Sequence, residues 1–408
     1  MHALPHETRD RWAAILFAAA AASASLWDFR FSEVRIFDVA SLALLLGYFL
    51  LSPESGRGWL KQRKIYIPLF AIIIAYAAFG YALHQHRSSI AIIALSLVGL
   101  HLIGRNDWLW SARVYKWLVV LHVGFFLIQM VGYRVFDAAI YFHSYDQISR
   151  YLSSGVAVKG TGLMQEANSY CLNVFVLTTL AILNRPNRAL VLFAATTMML
   201  SESLWGAGAG ITLLFLNEFR NVASFKRFIG MACAITLGAF AILNVYIWTT
   251  RTSGQEIPSL YSRILDIAND GSFRERYIQN SCDMNEAGAP KITADNTGAP
   301  RRIAGWIFGE GLTTAHFLNC LPANGLHFLF KSFGATGLLA LFLSLGLALR
   351  GFKPRDKFFV LAALAFAFTT YPLITYVIFW IWLPALIRFA ALPEFAPAMP
   401  EDTSQQRA

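Results

Sequence analysis

The sequence predicts an all-α fold, a polytopic membrane helix bundle of about twelve spans with one large loop outside the membrane, and three observations carry that prediction. Charged residues make up 14% of the 408, against about 25% in a soluble domain, so the polar surface needed to coat soluble domains is missing. Hydrophobic residues reach 56% and fall in long blocks. Lys and Arg number 34 against 24 Asp and Glu, a formal balance of +10, and much of that excess sits in short segments between the apolar blocks. This composition excludes a soluble enzyme, a disordered chain, a disulfide scaffold and a collagen-like repeat.

A hydrocarbon core of about 30 Å needs roughly 20 helical residues. Residues 12–27, 34–51, 65–83, 88–104, 115–136, 163–183, 228–248 and 326–349 meet or approach that length. Blocks 189–217 and 358–392 are long for one span and short for two. They carry polar breaks at Ser201-Glu202-Ser203 and Thr369-Thr370-Tyr371-Pro372.

Loop charge sets the number of crossings, because Lys and Arg of short loops stay in the cytoplasm. Basic clusters stand at Arg9 and Arg11; at Arg57, Lys61, Arg63 and Lys64; at Arg105, Arg113 and Lys116; at Arg185 and Arg188; at Arg220, Lys226 and Arg227; and at Arg350, Lys353, Arg355 and Lys357. Both flanks of 189–217 are then internal, so that block crosses an even number of times, as two short helices or a re-entrant hairpin. The expected layout is membrane helices one to nine in 1–248, a large periplasmic loop in 249–325, helices ten to twelve in 326–392 and a cytoplasmic tail in 393–408. Both termini are cytoplasmic in this layout. The start also imitates a secretory signal, with Arg9, Arg11, an Ala-rich stretch and Ala22-Ser23-Ala24; its removal leaves the other orientations unchanged.

Two external stretches are long enough for chemistry, 137–162 and the much larger 249–324. The second carries Arg251, Arg263, Arg274, Arg276, Lys291, Arg301 and Arg302, which points to an anionic ligand; salt bridges to Asp266, Asp270, Glu275 and Asp283 are the structural alternative. Cys282 and Cys320 share that loop and form a candidate disulfide in an oxidising compartment, while Cys171 and Cys233 fall inside spans, where free Cys behaves as a small hydrophobe. No zinc-ligand spacing is present, and neither a metal nor a cofactor is expected. P-loop, Rossmann, HExxH and GxSxG motifs are missing, and no basic and aromatic run fits nucleic acid.

Ionisable groups at membrane depth are costly and default to functional candidates. Glu166 follows Lys159-Gly160-Thr161-Gly162, Glu202 sits in the Ser201–Ser203 break, and Lys331 lies early in the tenth span. Snorkelling to the interface is the alternative for each. Gly206, Gly208, Gly210, Gly334 and Gly337 follow two of the expected external turns, where small residues let membrane helices pack closely.

The order of these features resembles the O-antigen polymerase and O-antigen ligase superfamily. Three blocks carry the likeness. Gly162-Leu163-Met164-Gln165-Glu166-Ala167-Asn168 is similar to that family's Gly-x-x-x-Glu-(Pro/Ala)-(Asn/Ser) start of a span, with Lys159 where Arg is common. Leu200-Ser201-Glu202-Ser203-Leu204-Trp205-Gly206 is similar to its Ser-x-Ser turn. The third block runs Ser272-Phe273-Arg274-Glu275-Arg276, then Ile307-Phe308-Gly309-Glu310-Gly311, then Pro322-Ala323-Asn324 and Gly334-Ala335-Thr336-Gly337, matching the family's Ser-x-x-x-Arg, Phe-Gly-x-Gly, Asn and Gly-x-x-Gly series. Ala323 stands where ligases of this family commonly carry His, which tilts the resemblance toward a polymerase. Leu204 replaces a common Arg.

The resemblance implies a GT-C-like membrane glycosyltransferase that joins undecaprenyl-diphosphate-linked oligosaccharides at the periplasmic face, without a metal. Arg276, with Arg263 or Arg274, would grip the diphosphate, since guanidinium matches phosphate in a planar fork; Lys159 would add a point charge, and Ser203 and Asn324 would line the substrate site. Glu166, Glu202, His316 and His327 are the candidates for the group that receives the acceptor hydroxyl's proton. A chain-length regulator and a flippase of the same pathway are the partners implied, besides membrane lipid. Two other functions stay open: a ligase that moves glycan to lipid A core, and a transporter or flippase of the lipid-linked oligosaccharide.

Overall fold

The computed structural model describes residues 6–26, 35–52, 63–105, 112–136, 161–164, 166–184, 188–201, 203–221, 299–313 and 325–391. Among these residues the fold is all-helical. In chain order the helices are α1 (His6–Ala24), α2 (Ile36–Leu51), α3 (Ile67–His84), α4 (Arg87–Ile103), α5 (Ala112–Phe136), α6 (Ala167–Asn184), α7 (Arg188–Leu200), α8 (Leu204–Asn221), α9 (Ala299–Phe308), α10 (Gly325–Ala348), α11 (Pro354–Ala367) and α12 (Val377–Ala391). Three stretches, Ile67–His84, Arg113–Gly132 and Gly325–Ala348, are long and apolar enough to cross a membrane. Shorter apolar helices include α2, α4, α7 and α12. Outer faces are apolar as well: Leu46 and Leu50 on α2, Ile128 and Val135 on α5, and Leu339, Phe342 and Leu343 on α10 are all exposed. So much exposed apolar side chain is a liability in water and an asset in lipid, and the build is compatible with a membrane protein.

Helix α12 forms the centre. Apart from Arg388 in its last turn it is apolar all round, which demands burial on every side, and it packs against α1, α2, α4, α6 and α11. Trp380 and Trp382 are fully buried. Each indole N–H finds an acceptor, Ile374 O at 3.0 Å and Thr179 Oγ1 at 3.0 Å, as a buried donor must. A polar knot of Ser25, His122 and Asn173 ties α1, α5 and α6 together: Asn173 Nδ2 donates to Ser25 O (2.8 Å) and lies 2.9 Å from His122 Nε2. Sequence reading passed over this knot because single polar residues in apolar blocks carry no local pattern.

The two ambiguous blocks are each broken where polar residues interrupt them. Helices α7 and α8 pack against one another on either side of a turn at Ser201 and Ser203. Helices α11 and α12 are separated by turns and a 3-10 helix at Leu373–Thr375. Span 163–183 starts later than its hydrophobicity predicts, at Ala167, since Thr161 to Met164 is a separate turn; its amides at Thr161 and Gly162 donate to Gln129 Oε1 at 2.8 and 2.9 Å. Predicted span 228–248 and tail 393–408 lie outside the described residues.

Basic residues gather at one end of the bundle. Arg63 is fully buried and closes the C-terminus of α4, donating to Leu100 O (2.8 Å) and His101 O (2.6 Å). Arg105 does the same for α2, donating to Ser52 O at 2.7 Å and to Ser52 Oγ. Arg355 Nε donates to Phe219 O at 2.8 Å. Helix C-termini expose carbonyls and a partial negative charge that guanidinium neutralises, so these arginines hold the fold as well as marking one face.

Candidate functional site

The opposite end of the bundle collects the motifs. Ser203 caps α8: its Oγ accepts the Gly206 amide at 3.0 Å, the N-cap to N3 bond that serine favours. The same hydroxyl donates to Asn168 Oδ1, on the first turn of α6. Beneath it Ser201 Oγ donates to Met198 O (2.7 Å) and lies 3.0 Å from Cys171 Sγ. The Ser201–Ser203 turn and the start of α6 are therefore pinned together by side chains that the sequence placed in separate motifs.

Glu166 stands just ahead of α6 and is exposed. Tyr371 OH donates to its Oε2 at 2.7 Å, and Ser169 Oγ lies 3.5 Å from the same phenol. Tyr371 comes from the broken stretch between α11 and α12, next to Thr369, whose Oγ1 accepts from Trp205 Nε1 at 2.7 Å. A Cβ at Gly325, the first residue of α10, would collide with Tyr371 O. The starts of α6, α8 and α10 and the 368–376 break thus meet around one exposed carboxylate, and His327 is half-buried in the first turn of α10.

A second assembly at this end involves the glycine motifs. Helix α10 breaks at Gly334 (φ 60°, ψ −174°), in the left-handed region that side chains avoid. The break frees carbonyls, and the segment after α9 supplies their donors: Glu310 N to Lys331 O (2.9 Å) and Gly311 N to Ser332 O (3.1 Å). The next amide, Leu312 N, donates to Tyr76 O of α3 at 2.8 Å. Backbones pass so closely that a Cβ on Gly334 would overlap Gly309 N, one on Gly309 would overlap Ser332 O, and one on Gly311 would overlap Gly80 Cα. Thr336 Oγ1 donates to Ile307 O at 2.7 Å, and His84 Nε2 lies 3.1 Å from Glu310 O. Gly309-x-Gly311 and Gly334-x-x-Gly337 are two halves of one interlock.

Among the residues expected to form a site, Glu166, Ser203 and His327 are brought to the same end. Arg263, Arg274, Arg276, Lys159, Glu202, His316 and Asn324, and the cysteine pair Cys282 and Cys320, lie outside the described residues, although Glu202 falls between Ser201 and Ser203 and Asn324 directly precedes Gly325. Sequence reading missed Tyr371 and Gln129. For Tyr371 the available signal was two threonines and a proline inside an apolar block, a break that leaves backbone groups seeking partners; for Gln129 it was an amide in an otherwise apolar span. Chemically, the arrangement presents a carboxylate oriented by a phenol, hydroxyls and an amide around it, and a backbone clamp that fixes 309–313 to the helices beside it. No family model matches the chain, and searches of curated proteins and of solved structures found no match either.

Proposed function

We propose that the chain is a membrane glycosyltransferase of the O-antigen polymerase type, joining lipid-diphosphate-linked oligosaccharides at the external face of a bacterial inner membrane. In this reading the chain crosses about twelve times, the arginine-capped end faces the cytosol, and residues 249–325 form the external loop. One observation carries it: the Glu166, Ser203 and α10 starts, which the sequence holds far apart, converge at the end away from the arginine caps, and the Glu310–Leu312 amides clamp that segment to α10 and α3.

The chemistry follows from the leaving group. An acceptor sugar hydroxyl attacks the anomeric carbon of the donor, a new C–O bond forms, and the bond from that carbon to the diphosphate breaks, its electron pair leaving with the lipid diphosphate. Glu166 receives the hydroxyl proton, with Tyr371 holding the carboxylate in place. Developing charge on the diphosphate calls for fixed cations, the role assigned to Arg276 with Arg263 or Arg274. Lys159 adds charge, while Asn324 and Ser203 hold substrate polar groups. Glu202, His316 and His327 are the alternative proton acceptors.

The test is direct. Purified protein is incubated with a lipid-diphosphate repeat unit, with and without chelator, and products are separated by length. Lengthened glycan with stoichiometric release of lipid diphosphate is expected. Transfer only to a lipid A core acceptor would replace the polymerase by a ligase, and movement across vesicles without bond formation would replace both by a flippase.

A further inference from the structure

At the arginine-capped end a cavity of about 330 Å³ opens between the start of α3, the α10–α11 turn and the end of α12. That volume is within the range of small-ligand pockets. Its inner wall is apolar, with buried Ala348 and Ala390 and half-buried Phe352. Exposed Ile65 also lines it, and its outer wall carries Arg350 and Lys353, both exposed, with Asp356 as the one carboxylate lining it among the described residues. Tyr66 also lines it, and the Arg388 guanidinium lies against the Tyr66 hydroxyl. Arg388 Nε is buried and lacks a hydrogen-bond partner. Among the described residues, three cations therefore surround or adjoin a hollow lined by one anionic side chain.

Sequence accounts for the shape. Gly351 takes φ 110° and turns the chain sharply after α10, while Pro354 starts α11 directly behind Lys353. The two cations are thus held on a short, tight connection at the level where the helices end. A free hydrated phosphate gains little from an apolar back wall, whereas a lipid offers a phosphate to the cations and a glycerol and acyl start to Ile65 and Ala390. We infer that this cavity binds the headgroup phosphate of an anionic phospholipid from the adjacent leaflet. The inference is independent of the transferase reading, since it concerns the other end of the bundle.

Native mass spectrometry of the full chain in detergent, titrated separately with phosphatidylglycerol, phosphatidylcholine and inorganic phosphate, tests it. One phosphatidylglycerol is retained on the order of tenfold more tightly than phosphatidylcholine, as two nearby cations provide. The double variant Arg350→Gln with Lys353→Gln, both at exposed turn positions, loses that preference while keeping its melting temperature. Ala391→Phe, which fills the cavity mouth from an exposed position and leaves both charges in place, loses it too. Unchanged lipid retention in both variants overturns the site. Loss in the charge variant alone overturns the cavity in favour of diffuse surface attraction, and displacement of the lipid by millimolar inorganic phosphate overturns the lipid assignment in favour of a free anion.

Discussion

The Glu166 carboxylate accepts a phenol hydrogen bond from Tyr371, which separates two roles that mutation can tell apart. Glu166→Gln keeps the shape and removes the proton acceptor, so glycan elongation should fall by roughly 10²-fold or more, with membrane insertion unchanged, as read by product length in the reconstituted assay. Tyr371→Phe removes only the orienting donor. A loss of about fivefold in kcat, the ~1 kcal/mol of one hydrogen bond, is expected with KM little altered, measured by initial rates over donor concentration. Glu166 was legible in the sequence because a carboxylate beside an apolar block is costly. Tyr371 was not, because its contact spans 205 residues of chain and depends on how two broken helices meet. Ser203 was readable as a turn residue, but its partner Asn168 became visible only when α6 and α8 were seen side by side.

Among the elements, α10 is the most informative, since its hydrophobic pattern reads as one unbroken span while its backbone breaks at Gly334. Periodicity reports which side chains prefer lipid or protein and is blind to a single residue of positive φ. The break is sustained from outside by Glu310 and Gly311, which give the freed carbonyls their donors. Gly334→Ala should cost about 2–4 kcal/mol, through backbone strain and the forced parting of two chains, seen as a lower melting temperature of the purified protein. Gly346→Ala, twelve residues further along the same helix, is the control: a Cβ there meets nothing within 4 Å, and helix propensity favours it by about 0.5–1 kcal/mol. Arg63→Ala tests the other end in the same way. It leaves the Leu100 and His101 carbonyls without their guanidinium donor and should destabilise by about 2 kcal/mol or more; Arg63→Lys restores only part, since one ammonium lacks the planar fork.

At the scale of the whole bundle, the arginines that close helix C-termini lie at one end, while Arg35 serves the other, donating to Thr375 O at 3.2 Å. Arg63, Arg105 and Arg355 close helices on one side, and the Glu166 cluster occupies the other. The cation distribution along the chain leads to the expectation of one cytoplasmic and one external face, an inference from loop charge that does not depend on exact helix boundaries. What it did not contain was the seating of helices within the bundle, which depends on side-chain shapes summed over many neighbours. The orientation proposed above has a plain consequence: single cysteines at Glu202 or Arg276 in a cysteine-free background should react with a membrane-impermeant maleimide in intact cells, and one at Lys353 only after permeabilisation. The reverse pattern would invert the bundle and remove the transferase proposal with it.

The burial of α12 bears on how such a chain is made. Its central helix follows in the chain every helix it packs against, so the neighbours that will surround Trp380 and Trp382 are synthesised before their shared occupant exists. Until Val377 to Ala391 arrives, the earlier helices must wait around an axial vacancy that lipid or one another fills. Assembly of this bundle therefore proceeds from its walls to its axis, and arrival of the central helix is the step that closes the packing.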